Sequence, residues 1–218
     1  MAPERTVWLV LLPPLATALY YTLPVPLQQN LWITFSPQLL AYASLAAWAL
    51  SNRGWKTLLR LDVQRIGPSL QWGALVGVAL GAVNLSLILQ VIPALGVDIQ
   101  FLRETPHAQA PAWAMFPVGI AVIGFLVELN FRGFQMGRLL TLLGQSPAGR
   151  FGAILVSALA FSFDPFMVQV FQHLHWIALW DGLVWGILLL QTRSLYATMA
   201  AHTVEVWILY VWLKLWLA

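Results

Sequence analysis

The chain has 218 residues, of which 60% are hydrophobic and only 9% are charged. Soluble domains carry about a quarter charged residues, so this composition excludes a water-soluble globule, a disordered chain and a nucleic-acid-binding domain. The sequence contains no cysteine, which excludes a disulfide-bonded secreted scaffold. We therefore predict an all-α, polytopic membrane protein whose first partner is the lipid bilayer and which binds no nucleic acid.

Apolar segments that approach the length needed to cross a bilayer recur along the chain. They predict membrane-spanning helices at about 7–25, 32–50, 71–95, 112–131, 151–166, 173–192 and 195–217. A further segment, 133–145, is amphipathic and carries Arg138, so a helical bundle of seven or of eight spans fits the pattern. We expect a single transmembrane domain, 1–218, because no linker or repeat interrupts it.

The connection 51–70 is the most basic loop of the chain, with one acidic residue, Asp62, against Arg53, Lys56, Arg60 and Arg65. Basic loops favour the cytoplasmic side, which also places the N-terminus there. The apolar residues between these charges predict a short helix on the membrane surface. We expect an integral protein of a prokaryotic plasma membrane, or of an intracytoplasmic or thylakoid membrane.

Ionisable residues within apolar spans are costly and are usually paired or functional. Glu128 and Arg132 are four residues apart and share one face of a predicted helix. Two interpretations stay open for them. They form an internal ion pair, or the guanidinium holds a carboxylate that is aimed at substrate or water.

His202 lies in an apolar segment beside the small residues Ala200 and Ala201, which let a neighbouring helix approach closely. Glu205 follows one helical turn later. The histidine either makes an interhelical hydrogen bond or shares a proton or a ligand with the glutamate.

His173 and His175 are two residues apart, so on a regular helix they point about 200° away from each other. They therefore cannot readily hold one metal, and we predict neither a metal site nor a cofactor. Haem or chlorophyll ligation by one of these histidines is the alternative. Asp164-Pro165 predicts a helix end, and Asp181 lies within a span, where its carboxylate needs a partner.

Three short motifs follow one another in a family order. They run from Val127 and Glu128 to Arg132 and Gly133, from Phe161 to Pro165, and from His202 to Val206. The segment GLVWG, which begins at Gly182, and the later TRSLYAT precede the last motif. From about 112 to 207 the chain resembles the CPBP family, the CAAX prenyl endopeptidase and bacteriocin-processing (Abi) membrane proteins.

The resemblance implies a CPBP-like helical core and hydrolysis of a peptide bond. In the family, the first glutamate of a Glu-Glu pair and the histidine of the second motif activate water. The histidine and asparagine of the third motif stabilise the oxyanion. Three of these four positions hold Val127, Pro165 and Val206 here. Glu128, Arg132 and His202 are the family-motif positions that remain.

Our first hypothesis is a pseudoenzyme that serves as an accessory subunit bound to other integral membrane proteins. It predicts a buried polar latch in which Glu128 pairs with Arg132 and His202 has a polar neighbour. The alternative is a glutamate-dependent intramembrane endopeptidase in which Glu128, His202 and a further histidine converge on a water-accessible cavity. Its relocated catalytic groups would come from Glu205, Asp164, His173 or His175. The third hypothesis is a cofactor-binding subunit that uses His173 or His175.

Overall fold

The computed structural model describes residues 4–216. The chain is 85% helical, and no strand occurs within 4–216, so the predicted all-α class is confirmed. The main helices are α1 (Leu12–Tyr20), α2 (Leu31–Ser51), α3 (Ile66–Ser86), α4 (Pro106–Gln109), α5 (Ile120–Glu128), α6 (Gly137–Leu143), α7 (Pro147–Ser162), α8 (Pro165–Phe171), α9 (Trp176–Thr192) and α10 (Leu195–Trp216). Residue 217 of the last predicted span lies outside the described residues.

Shorter helical segments connect the main helices. Single α-helical turns lie at Val25–Gln28, Trp55–Leu58, Ile92–Ala94 and Ala112–Ala114. Turns of 3-10 helix lie at Val7–Leu11, Val63–Arg65, Gln100–Glu104 and Gln172–Leu174. Stretches of π-helix lie at Leu87–Val91, Met115–Gly119 and Leu129–Met136.

Three helical stretches of the described chain are long and apolar enough to cross a membrane: Leu31–Ser51, Trp55–Ala94 and Ala112–Leu143. The pair Pro147–Ser162 and Pro165–Leu174, bent by 57°, makes a fourth if it is counted as one broken span. Val7–Tyr20 and Trp176–Thr192 are apolar but shorter. By length and composition, residues 4–216 thus include three or four candidate spans, and the count of seven or eight stays a prediction.

The predicted amphipathic helix at 133–145 follows directly from the preceding helix. It belongs to the helical stretch Ala112–Leu143, which is kinked at Phe116. Its polar residues Gln135 and Arg138 are buried, and they bond to Asn130 and to the backbone of Leu58. Thr141 and Gln145 are exposed.

One predicted boundary also differs from the structure. The first span ends at Tyr20 rather than near residue 25, and a turn leads from it to the short helix Val25–Gln28. The Tyr20 hydroxyl donates a hydrogen bond to the backbone oxygen of Gln28 at 2.9 Å. The short helix predicted in 51–70 is present as a single turn, Trp55–Leu58, and the adjacent Leu59 is buried. Its place on the membrane surface stays a prediction. The orientation that this loop implied stays a prediction.

The residue contacts divide the chain into two compact units. The first comprises residues up to 61 together with 129–187, and the second comprises 62–128 together with the residues from 188 onward. Each unit combines segments that are distant in sequence. The single-domain organisation expected from the sequence stays a prediction.

In the first unit, charged and aromatic side chains fasten the N-terminal segment. The Glu4 carboxylate accepts a hydrogen bond from Trp48 Nε1 at 2.8 Å and pairs with Arg138. The Arg138 guanidinium lies over the Trp48 ring, 4.3 Å from its centre, and donates to the backbone oxygen of Leu58 at 3.2 Å. A buried arginine is thus neutralised and held by several groups at once, as burial of a charge requires.

In the second unit, three glycines on one face of α3 bring its backbone against α10. They are Gly73, Gly77 and Gly81, spaced four residues apart. A Cβ atom at Gly77 would lie 2.5 Å from the backbone oxygen of Ala201. Such small-residue faces let two membrane helices approach closely enough for extensive van der Waals contact.

We expect Gly77→Ala to destabilise the protein by about 1–3 kcal/mol, because the added methyl group overlaps backbone atoms of α10 that cannot move aside. The measurement is the free energy of unfolding in mixed micelles. Gly67→Ala is the matched control, since a Cβ at this position of the same helix meets nothing within 4 Å. Equal stability of the two variants would contradict the close packing of α3 on α10.

Candidate functional site

The centre of the site is a histidine–glutamate pair inside the second unit. His202 Nδ1 lies 3.1 Å from Glu128 Oε1. Glu128 is 0% exposed and His202 is 7% exposed. The pair joins the last residue of α5 to the middle of α10, which gives His202 the polar neighbour that the sequence analysis expected.

A glycine one turn before Glu128 permits this contact. A Cβ atom at Gly124 would lie 2.9 Å from the Thr203 hydroxyl oxygen, so only the absence of a side chain lets α5 approach α10 here. The close approach brings the Glu128 carboxylate within hydrogen-bonding distance of the imidazole.

A second polar contact lies one turn further along α10. Asn84 Nδ2 donates a hydrogen bond of 2.6 Å to Glu205 Oε1, and both side chains are buried. This contact joins α3 to α10. Asn84 was not among the candidate residues of the sequence. An asparagine in an apolar span, three residues after Gly81, nevertheless indicates a side chain that needs a polar partner.

His107 on α4 is a further histidine of the second unit. Burial, and then the positive charge that His202 can carry, lower the pKa of His107 below its ordinary value of 6.5. The two imidazoles are therefore close enough to interact electrostatically. No sequence motif marks His107, because it lies in a connection between the longer helices.

Arg132 belongs to the first unit and is completely buried. Its guanidinium lies 4.8 Å from the centre of the Phe161 ring and 4.9 Å from that of Trp185. A Cβ atom at Gly182 would lie 2.9 Å from Arg132 Nη2. The arginine of the first motif is thus stacked on the phenylalanine of the second, in an arrangement typical of cation–π contacts. The predicted ion pair between Glu128 and Arg132 stays a prediction.

Asp164 lies at the break between α7 and α8, so the predicted helix end is confirmed. Its Oδ1 atom accepts hydrogen bonds from the backbone N–H of Phe166 at 3.0 Å and from Gln38 Nε2 at 2.7 Å. It caps α8 in the usual manner of an aspartate before a proline. Asp181 is buried on α9.

His173 and His175 are not on the regular helix that the sequence predicted. They lie at the 3-10 turn Gln172–Leu174 and directly after it, before α9 begins. His175 Nδ1 is 2.7 Å from the backbone oxygen of Gln172. Within residues 4–216 no three histidine or carboxylate side chains are grouped to hold a metal ion. The structure brings Glu205, but neither of these histidines, into the same unit as Glu128 and His202.

Apolar helices and buried ionisable pairs define a helical membrane protein with a Glu–His centre. Residues 109–208 match the family of type II CAAX prenyl endopeptidases, Rce1-like. The match covers all three motifs and confirms the resemblance to the CPBP family, so this region is CAAX protease-like. No curated protein and no solved structure matches the chain.

Removing the hydrogen-bond donor of a buried carboxylate lowers the free energy of unfolding. We expect Asn84→Leu to lower the free energy of unfolding by about 1–3 kcal/mol, because Glu205 then loses a buried donor. Ser86→Ala on the same helix is the control, since the exposed Ser86 hydroxyl bonds only to the Ala82 oxygen of its own helix. Adding Glu205→Met to Asn84→Leu should recover part of the loss; simple addition of the two losses would argue against a coupled pair.

The lowered pKa of His107 predicts that this imidazole is neutral at pH 7. A nitrogen NMR titration of the protein in micelles measures the midpoint directly. Because the His202 charge contributes to the lowering, His202→Gln should move the His107 midpoint upward, whereas His175→Gln in the other unit should leave it unchanged. An unaltered midpoint in His202→Gln would show that the two imidazoles do not interact.

Proposed function

We propose that this CAAX protease-like membrane protein is non-catalytic and serves as an accessory subunit of a complex with other integral membrane proteins. One observation carries the proposal. The three positions at which the family has its water-activating glutamate, its second-motif histidine and its asparagine hold Val127, Pro165 and Val206. None of these side chains can exchange a proton or donate a hydrogen bond to an oxyanion.

Two of the replaced residues have structural roles, which supports this interpretation. Pro165 is the first residue of α8, where a missing backbone N–H costs nothing and the fixed φ angle favours the helix. Val206 packs against the apolar cluster of Met115, Ile120 and Tyr210. Both positions therefore contribute to helix formation and packing instead of chemistry.

The polar groups that remain act as interhelical latches in this proposal. The Glu128–His202 contact ties α5 to α10, and the Asn84–Glu205 contact ties α3 to α10. Polar contacts between helices persist inside membranes because the alternative is an unsatisfied polar group among apolar side chains. The residues retained from the family motifs then stabilise a surface that other membrane proteins recognise.

The proposal includes the finer features that the sequence suggested. We place the chain in a prokaryotic plasma, intracytoplasmic or thylakoid membrane, with the N-terminus in the cytoplasm. We also propose seven or eight passes. Seven requires Val7–Tyr20, Trp176–Thr192 and Leu195–Trp216 to cross the membrane besides the four candidate spans, and an eighth requires 133–145 to cross separately. The many exposed apolar side chains of the long helices would contact lipid or the partner.

One observation favours a second candidate, an endopeptidase with relocated groups. His107 provides a second imidazole beside the Glu128–His202 pair. In such an enzyme Glu128 would take a proton from water as it attacks the peptide carbonyl. A neutral imidazole or the Asn84 amide would donate to the developing oxyanion.

Peptidase activity separates the two candidates. We expect the full chain in lipid nanodiscs to cleave a prenylated CAAX peptide no faster than Glu128→Gln does, because the family's base position holds a valine. Cleavage that is lost in Glu128→Gln and His107→Gln, but kept in the exposed-site control Glu104→Gln, would overturn the proposal and support the endopeptidase.

Extraction of the protein from its own membrane tests the accessory role. Native mass spectrometry after extraction in mild detergent should show the chain in a complex of fixed stoichiometry with an integral membrane protein. A chain that migrates alone after extraction would contradict the accessory role, and an absorption band from a bound pigment would support the cofactor-binding hypothesis.

A further inference from the structure

The first unit contains a small cavity with a mixed polar and apolar lining beside the break between α7 and α8. Its volume is about 10 Å³, which is room for one particle the size of a water molecule. Five of its lining residues have polar side chains: Thr17, Gln38, Asn130, Gln135 and Asp164. None of them belongs to the Glu128–His202 centre, so the cavity is a separate feature.

Asp164 brings a carboxyl group to this cavity without a cationic partner. It is 3% exposed, and the Gln38 amide and the backbone N–H of Phe166 that donate to it are both uncharged. Within residues 4–216 no lysine or arginine forms an ion pair with it. A carboxylate buried in a membrane protein is costly unless something neutralises it.

Gln135 adds an unpartnered oxygen to the lining. This side chain is 1% exposed, and its Nε2 donates to Asn130 Oδ1 at 3.3 Å. Its Oε1 atom is buried and accepts no hydrogen bond from any described residue. Because a buried acceptor without a donor is destabilising, this oxygen favours a guest that carries positive charge or a proton.

We propose that this cavity binds one small monovalent cation of the size of Na⁺. A single charge on the guest balances the single charge of Asp164. The amide oxygens of Gln135 and Asn130 and the hydroxyl oxygen of Thr17 are the hard ligands that alkali and alkaline-earth ions prefer. A divalent ion would leave one positive charge in excess, and a water molecule would not neutralise the carboxylate.

Sodium binding is measured on the unmodified full chain in nanodiscs. The first test therefore does not depend on whether a variant folds. We expect saturable binding of radioactive ²²Na⁺ with one ion per chain. We also expect NaCl to raise the midpoint of thermal unfolding by about 3 °C over choline chloride at equal ionic strength, once the site is well saturated. KCl and LiCl in the same series measure the size selectivity.

Two variants and a matched control assign the binding to this cavity. Asp164→Asn removes the charge and Gln135→Leu removes the unpartnered oxygen, so each should abolish ²²Na⁺ binding and the thermal shift. Gln169→Ala on α8 is the control, because Gln169 donates to Tyr20, Gln28 and Thr34 and does not line the cavity.

Two outcomes would overturn the proposal. If the unmodified protein binds no ²²Na⁺ and unfolds at the same temperature in both salts, Asp164 is neutralised by a proton and the cavity holds at most water. If Gln169→Ala loses the ion as completely as Gln135→Leu does, the site lies elsewhere in the unit. Neither outcome bears on peptidase activity, which concerns the Glu128–His202 centre.

Discussion

The second unit depends on the contact between the Glu128 carboxylate and the His202 imidazole, 3.1 Å apart and almost completely buried. A charged or strongly polar group that leaves water must find its partner within the protein. Here the partner lies on another helix, so satisfying the side chain also fixes α5 against α10. The Asn84–Glu205 contact fixes α3 against the same helix, and glycines at the interfaces allow the backbones to come close enough for both.

The same constraint organises the first unit by different chemistry. Arg132 lies against two aromatic rings, Arg138 is held by Glu4 and Trp48, and Asp164 receives neutral donors. The family motifs thus separate into two sets. The residues that hold helices together, such as Arg132 and Phe161, are present, whereas three positions that carry the family's chemistry have apolar residues.

Local sequence patterns predicted much of the architecture. Apolar runs predicted the helical membrane class, Asp164-Pro165 predicted a helix break, and the motif order predicted the CPBP resemblance over residues that match the Rce1-like family. Local sequence patterns were less informative about which polar residues are buried and where helices begin. The polar residues of 133–145 suggested an amphipathic helix, and within it Gln135 and Arg138 are buried although their residue types favour water. His173 and His175 were assigned to a helix that begins only at Trp176.

The sequence by itself thus determined the helical class, the resemblance to the family and the apolar residues at three motif positions, because each of these depends on residue types and their spacing along one segment. The tertiary structure alone decided which polar groups meet. Asn84 and Glu205 are 121 residues apart in the chain, and His107 reaches the neighbourhood of His202 from a connection that has no motif. Partner choice among buried groups depends on which helix faces come together, and that follows from the packing of all the helices in a unit.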